Sequence, residues 1–361
     1  MTSTHPPEPT LDTGKVEEFA GRLFELTTGG LLSHLVGIGH RTGLFDALAG
    51  ASATSAELAR RANLDERYVR EWLGAMATGG IVTYDPATKA FTLPPEHAVC
   101  LRGSTSTNLA PFTLAVAHLG EHLDELIEAF RHGGGVPYER FRPRFTEIMD
   151  GMSRGLFDDQ LVSGILPVVP GLPEQLGEGV RAADIGCGTG HSVNLMAAAY
   201  PASTFVGYDL APDALARGRA EAGEAGLPNV SFTELDVVEL PTEPPFDVVF
   251  AFDTIHDQAE PARVLSRVHD ALAPGGVFVM MDTRAATDLA DNLDNPFAPL
   301  LYSVSTLHCM TVSLARGGAG LGTVWGEQLA RTMLADAGFT DVEVYDVPDD
   351  PLDAVYACRR P

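Results

Sequence analysis

The spacing of apolar positions divides the chain into a helical first half and a second half in which strands and helices alternate. Residues 16–27 place Val16, Phe19, Ala20, Leu23 and Phe24 on one side of a predicted helix. Residues 31–48 are apolar around most of a second helix, which should therefore be buried, in part against a second subunit. Thr54 and Glu57 have capping-box spacing, a turn falls at 62–64, and Asp65 is placed to cap a helix over 65–78 that Gly79 and Gly80 stop. Residues 81–84 and 89–93 read as the arms of a hairpin. Helix, turn, helix and hairpin together are the pattern of a winged helix.

From 108 to 177 the period is helical again. Residues 109–130 predict one or two amphipathic helices, closed by Gly133, Gly134 and Gly135. A further helix over 141–152 lines up Phe141, Phe145, Ile148, Met149 and Met152, either as plain core or as the roof of an apolar pocket. Beyond residue 180 short apolar runs at 182–185, 204–208, 230–235, 246–252 and 277–281 alternate with helices at 192–200, 211–225 and 261–272, which predicts a parallel α/β sheet. A helix at 325–337 and runs at 342–345 and 353–358 complete the chain. Residues 283–322 break this rhythm and read as an insertion at the functional edge, a lid or specificity element. The expected organisation is a tail over 1–15, a winged-helix domain over 16–100, a helical connector over 101–178 and an α/β domain over 179–361.

Composition narrows the partners. The chain has 361 residues, 45% of them hydrophobic, and a net charge of −25. Such a surface repels nucleic acid and anionic membranes. The winged-helix segment, 51–94, has five basic and five acidic residues and is neutral. Phosphate neutralisation carries DNA affinity, so a structural module is expected rather than a DNA reader. No stretch reads as apolar for long enough to span a bilayer, and no leader pattern precedes the first helix. Four cysteines without a C-x-x-C pair suggest neither a zinc site nor a disulfide framework, and a cytoplasmic location is expected.

The chemistry centres on residues 182–191. An acid, Asp184, is followed by glycines at 186, 188 and 190, then by a helix and a strand that ends at Asp209, 19 residues past Gly190. Glycine lets the turn tighten and lets a ligand lie against bare backbone. A carboxylate at the end of the second strand can accept both hydroxyls of a ribose. A dinucleotide turn places its third glycine one position later, where His191 stands here. Asp184 would repel a pyrophosphate and suits a cationic ligand.

This pattern resembles motif I of the Rossmann-like (class I) S-adenosylmethionine-dependent methyltransferases. The resemblance implies a seven-stranded sheet and a cofactor site at Asp184, Gly186, Cys187, Gly188, Gly190, Asp209 and Leu210. It also implies that Asp236 accepts the adenine amino group, with Val237 and Phe252 beside the ligand. The tract 252–257 is similar to the fourth-strand exit of small-molecule O-methyltransferases, which implies His256 as the base and Asp282, at the end of the fifth strand, as the group that orients it. Where that family has Trp and an Asp-Glu pair, Gln258, Ala259 and Glu260 follow here, so His256 as a mere positioner of the acceptor stays open. The same family carries a winged-helix domain used for dimerisation, which implies a homodimer. Tyr138, Tyr302 and His308 are expected at the pocket of a small-molecule methyl acceptor, with no metal required. The alternatives are a ligand-sensing winged-helix transcriptional regulator and a nicotinamide-dependent oxidoreductase. The first is disfavoured by the neutral module, the second by Gly190 and His191.

Overall fold

The computed structural model describes residues 11–348 and 350–361, so the first ten residues of the expected tail lie outside the described residues. The chain forms two compact units: residues up to Gly103 with Leu109–Val116, and Ser104–Asn108 with Ala117–Pro361.

In the first unit Asp12 caps a single 29-residue helix, Thr13–Arg41, by accepting from the backbone of Gly14 and Lys15. The two helices expected over 16–27 and 31–48 are therefore one, followed by the short Leu44–Leu48. Gly29 and Gly30 do not break it, since each costs only about 1 kcal/mol relative to alanine. The burial expected over 31–48 is partly met within the single chain: Leu44, Phe45 and Leu48 are buried, while Leu31 and Ile38 are exposed. Phe19, Phe24 and Leu31 are 63%, 76% and 63% exposed, and only Val36, Gly37 and Gly39 of the helix Thr13–Arg41 are buried. Burial begins where the helix meets the winged helix. A Cβ on Gly39 would lie 2.7 Å from both Phe45 and Trp72, and Trp72 Nε1 donates to the Leu35 carbonyl at 2.9 Å. The winged helix itself is Ser55–Ala62, opened by the Thr54–Glu57 capping box, then Glu66–Thr78, then the antiparallel strands β1 (Thr83–Asp85) and β2 (Ala90–Thr92).

The second unit is built on β3 (Arg181–Ile185), β4 (Thr204–Asp209), β5 (Val230–Glu234), β6 (Phe246–Phe252), β7 (Leu272–Thr283), β8 (Thr340–Asp346) and β9 (Asp353–Arg359). They form one seven-stranded sheet in the order β5-β4-β3-β6-β7-β9-β8, parallel except for β9. Both faces are covered, as a mostly parallel sheet requires. Ala182, Val248 and Phe250 enter one core with Leu161, Ile165, Val193 and Met196. Ala183, Val249 and Ala251 enter the other with Val264, Leu265, Val268 and Leu334. Neighbouring residues fall in opposite cores because side chains alternate across a strand.

Three local expectations change. The helix Arg144–Leu156 continues into a π-helix, Phe157–Ile165, whose Phe157, Leu161 and Ile165 are buried. The run expected at 277–281 begins earlier, because residues 272–276 are already part of β7, with Gly275 at φ 79°. Within 283–322, residues 298–315 form one continuous rod with a π-helical turn, Ser305–Cys309, at its middle. That rod is long and apolar enough to meet the length and hydropathy of a membrane span, against the expectation that no stretch does, and nearly half of it is buried inside the fold.

Phe250 is fully buried at the centre of the sheet and stacks on Phe252 with ring centroids 5.9 Å apart. Phe250→Ala is expected to cost about 3–5 kcal/mol, read as a lower urea midpoint of the second unit's transition.

Candidate functional site at the switch point of the sheet

The chain runs outward from β3 to β4 and β5, then returns past β3 to β6. The loops after β3 and β6 therefore leave neighbouring strands in opposite directions and open a crevice, where ligands of open α/β sheets sit. The glycine turn lines one side. Gly186, Gly188 and Gly190 all have φ between 53° and 70°, the left-handed region in which side chains are strained. Gly190 also lacks room: a Cβ there would lie 2.2 Å from Phe232. At Gly188 a Cβ would meet nothing within 4 Å, which leaves bare backbone beside open space.

Two carboxylates adjoin this turn, and a third stands beyond the end of β5. Asp184 is 1% exposed, and its Oδ2 accepts the Ser192 hydroxyl at 2.7 Å while Oδ1 has no partner. Burial pushes this carboxyl up to about 7, against the hydrogen bond from Ser192. Asp209 stands at the end of β4 and accepts from the backbone of Gly188 and Ala211, each at 2.8 Å. Burial raises it above the usual carboxylate range in spite of those bonds. Asp236 caps the single turn Val237–Glu239, with Val237 buried, and Arg316 approaches it at 3.5 Å.

Across the crevice β6 ends at Phe252, whose ring lies 5.3 Å from that of Phe157. The following residue, Asp253, has a left-handed φ of 49°. His256 is 3% exposed, and its Nδ1 is 2.7 Å from Asp282 Oδ1 at the end of β7. Asp282 also accepts from the Thr283 backbone at 2.8 Å, which fixes the carboxylate. Burial alone pulls the imidazole down, and the charges of Asp282 and Asp257 override it and hold His256 well above its ordinary value. Burial and the Asp282 charge push Asp253 up to about 7.

Of the residues expected at the acceptor pocket, two meet. The rings of Tyr138 and His308 lie 6.1 Å apart, and His308 stacks on Phe145 at 3.8 Å. His308 is 2% exposed with no partner at either ring nitrogen, and burial pulls it down to about 4, so it is neutral near pH 7. Burial pushes the Tyr138 hydroxyl up to about 12. Tyr302 lies earlier on the rod that carries His308 and is half-buried there.

Residues 176–338 match the family described as "Methyltransferase domain", and residues 30–102 match the "Rv2258c-like winged HTH domain". The second unit carries a methyltransferase domain. Among curated relatives, the trans-aconitate 2-methyltransferase of Methylobacterium nodulans is 36% identical over 125 residues, 35% of this chain and 44% of the relative. That of an Acidovorax species is 30% identical over 177 residues, 49% of this chain and 56% of the relative. The chain thus spans about half the length of the curated relatives it matches. Among solved structures, mitomycin 7-O-methyltransferase superposes with a TM-score of 0.71 at 16% identity, covering 96% of this chain and 100% of that one. Human N-acetylserotonin methyltransferase in complex with S-adenosylmethionine gives 0.69 at 17%, covering 100% and 99%. At these identities the likeness establishes a shared fold.

The second unit holds two groups that the sequence reading missed. The first is a clamp on the glycine turn. The Thr189 hydroxyl donates to Asp150 at 2.6 Å, while the two ring nitrogens of His191 lie 2.6 Å from Glu221 and 2.8 Å from Asp158. Arg154 bridges Asp150 and Glu221. His191 was noticeable only as a residue that is not glycine. The second is the surround of the His256 ring, with Asp257 3.4 Å from Nε2 and the Cys309 thiol beside the imidazole.

Asp184 generates a test. Its folded-state value of about 7 lies above the unfolded carboxyl near 3.8, so its charge costs stability fully above pH 7 and nothing below pH 4. Asp184→Asn is expected to melt at a higher temperature than the native protein at pH 8, with the gap closing as pH falls toward 4 in a calorimetric series.

Proposed function

We propose that this chain transfers a methyl group from S-adenosylmethionine to a hydroxyl oxygen of a small, partly apolar acceptor. The observation that carries this reading is a buried imidazole backed by a carboxylate, His256 on Asp282, across one crevice from the glycine turn. The residues present fit the cofactor. The unpartnered Asp184 Oδ1 suits its ammonium group, and the open side of Gly188 leaves room for it to lie on backbone. Asp209 accepts one backbone N–H on each oxygen and keeps lone pairs for two ribose hydroxyls. Asp236 would take the adenine amino group, with Val237 against the ring and Cys187, Leu210 and Phe252 lining the site. Bound there, S-adenosylmethionine would supply an electrophilic methyl carbon on a positively charged sulfur.

The chain's own contribution is alignment and charge. His256 Nε2 takes the acceptor's proton in the neutral ring and pairs with the acceptor's oxyanion in the charged ring, and Asp282 holds the tautomer and stabilises the imidazolium. Tyr138 and His308, with Tyr302 on the same rod, would border the acceptor, and the rod would help exclude water. Carboxylates surround His256, and Arg142, Arg154 and Arg316 are each paired to acids. That charge pattern favours an uncharged hydroxyl acceptor over a polycarboxylate such as trans-aconitate, although the curated relatives are named for the latter.

A second copy of the chain is proposed to cover the first helix. Val16, Phe19, Leu23 and Leu26 recur at coiled-coil spacing and are 49–63% exposed, a larger apolar stripe than a monomer normally leaves in water. Four unpaired cysteines fit a reducing cytoplasm.

S-adenosylhomocysteine, titrated calorimetrically, is expected to bind where NAD does not, and Asp209→Ala is expected to weaken it by at least about tenfold. With labelled cofactor and a panel of phenols, quinols and carboxylates, His256→Ala is expected to lower turnover about 10²–10⁴-fold with cofactor affinity unchanged. Lost cofactor binding with turnover per bound complex intact would remove His256 from the role of base. Light scattering at micromolar concentration should give a dimer, and Phe19→Glu with Leu23→Glu a monomer. A native monomer defeats that part of the reading.

A further inference from the structure

His256 Nδ1–H points to Asp282, so in the neutral ring the lone pair is on Nε2. One group faces that atom, and a second lies against the ring. Asp257 Oδ1 lies 3.4 Å away, is buried, and has no hydrogen-bond partner. The Cys309 thiol lies against the same imidazole, brought there by the π-helical turn Ser305–Cys309, and is itself 6% exposed. The three donor atoms lie within 4.8 Å of one another.

Nitrogen, carboxylate oxygen and sulfur is the donor set of a borderline-soft ion rather than of magnesium or calcium. Two ligands at about 2.0–2.1 Å on a tetrahedral zinc stand about 3.3–3.4 Å apart, which is the spacing of Nε2 and the orphaned Asp257 oxygen. A histidine that binds zinc through one nitrogen donates its other N–H to a carboxylate, and Asp282 already accepts that bond. The other grouping, Asp253, His256 and Asp282, would need Nδ1, which is committed to Asp282.

We infer that His256, Asp257 and Cys309 bind a zinc-class divalent ion with three protein ligands and an open fourth position, and that the ion competes with the acceptor's proton for His256 Nε2. The ion replaces the thiol proton of Cys309 and the proton, where present, on Nε2, and both go to solvent. Binding depends only on these three side chains. The inhibition that follows rests on the methyl-transfer reading above.

The test uses the whole chain, stripped with a chelator and titrated with Co²⁺. One equivalent should give intense visible bands of a tetrahedral site and a near-ultraviolet thiolate–cobalt band, bleached by Zn²⁺. Cys309→Ser should lose the near-ultraviolet band and bind at least about tenfold more weakly, the loss that even an outer partner of a metal site causes. Asp257→Asn should weaken binding while keeping that band, and it serves if Cys309→Ser does not fold. In methyl-transfer assays Zn²⁺ should inhibit the native protein, and inhibit Cys309→Ser at least about tenfold less effectively. A native protein without the thiolate band, or a band that persists in Cys309→Ser, overturns the site. Failure to methylate any acceptor, with the cobalt spectrum as expected, removes the methyl-transfer reading and leaves the metal site standing.

Discussion

The close approach of the loops after β3 and β6 governs the geometry of the second unit. A Cβ on Gly186 would lie 2.4 Å from Thr254, and the Thr254 hydroxyl reaches the Gly186 carbonyl at 3.3 Å. Only a glycine allows that contact, and it does so at φ 68°, where glycine alone is unstrained. Because β3 and β6 are adjacent and parallel, this one contact sets how far the glycine turn stands from His256, two residues beyond Thr254. The clamp of Asp150, Arg154 and His191 then holds the far side of the turn from a helix that precedes the sheet in the chain.

Around this contact the fold concentrates charge where burial makes it costly. Asp184, Asp253 and Asp282 are removed from water at strand ends, and the first two are driven up to about 7. A core built for stability alone would place apolar residues there. Buried carboxylates beside an imidazole instead provide groups whose proton affinity is displaced from its value in water, which is what proton transfer and cation recognition both use. The same reasoning joins the two uses inferred for His256 Nε2. A neutral ring held by Asp282 presents one lone pair on Nε2, for which a proton and a zinc-class ion compete.

Much of this was legible in the chain. The strand–glycine–helix run at 182–191, the acids at 209, 236 and 282, and the alternation of strand and helix follow from local periodicity and turn chemistry, which neighbours in sequence decide. What failed did so for identifiable reasons. The break expected between 27 and 31 does not occur, because the two glycines there cost too little to end the helix. The all-round apolar character of 31–48 suggested burial, but how much of a face is covered depends on what packs on it, and in the single chain Leu44, Phe45 and Leu48 are covered while Leu31 and Ile38 are not.

The sequence by itself determined the order of elements, the glycine turn and which residue types stand at the strand ends, because these depend on backbone conformation within a few residues. The tertiary structure alone decided that Thr189 would be held by Asp150, that His191 would meet Asp158 and Glu221, and that Cys309 would come to rest on His256. Those partners are separated by 30 to 53 residues, and no periodicity encodes which side chains converge once the sheet and its π-helical turns bring distant segments together.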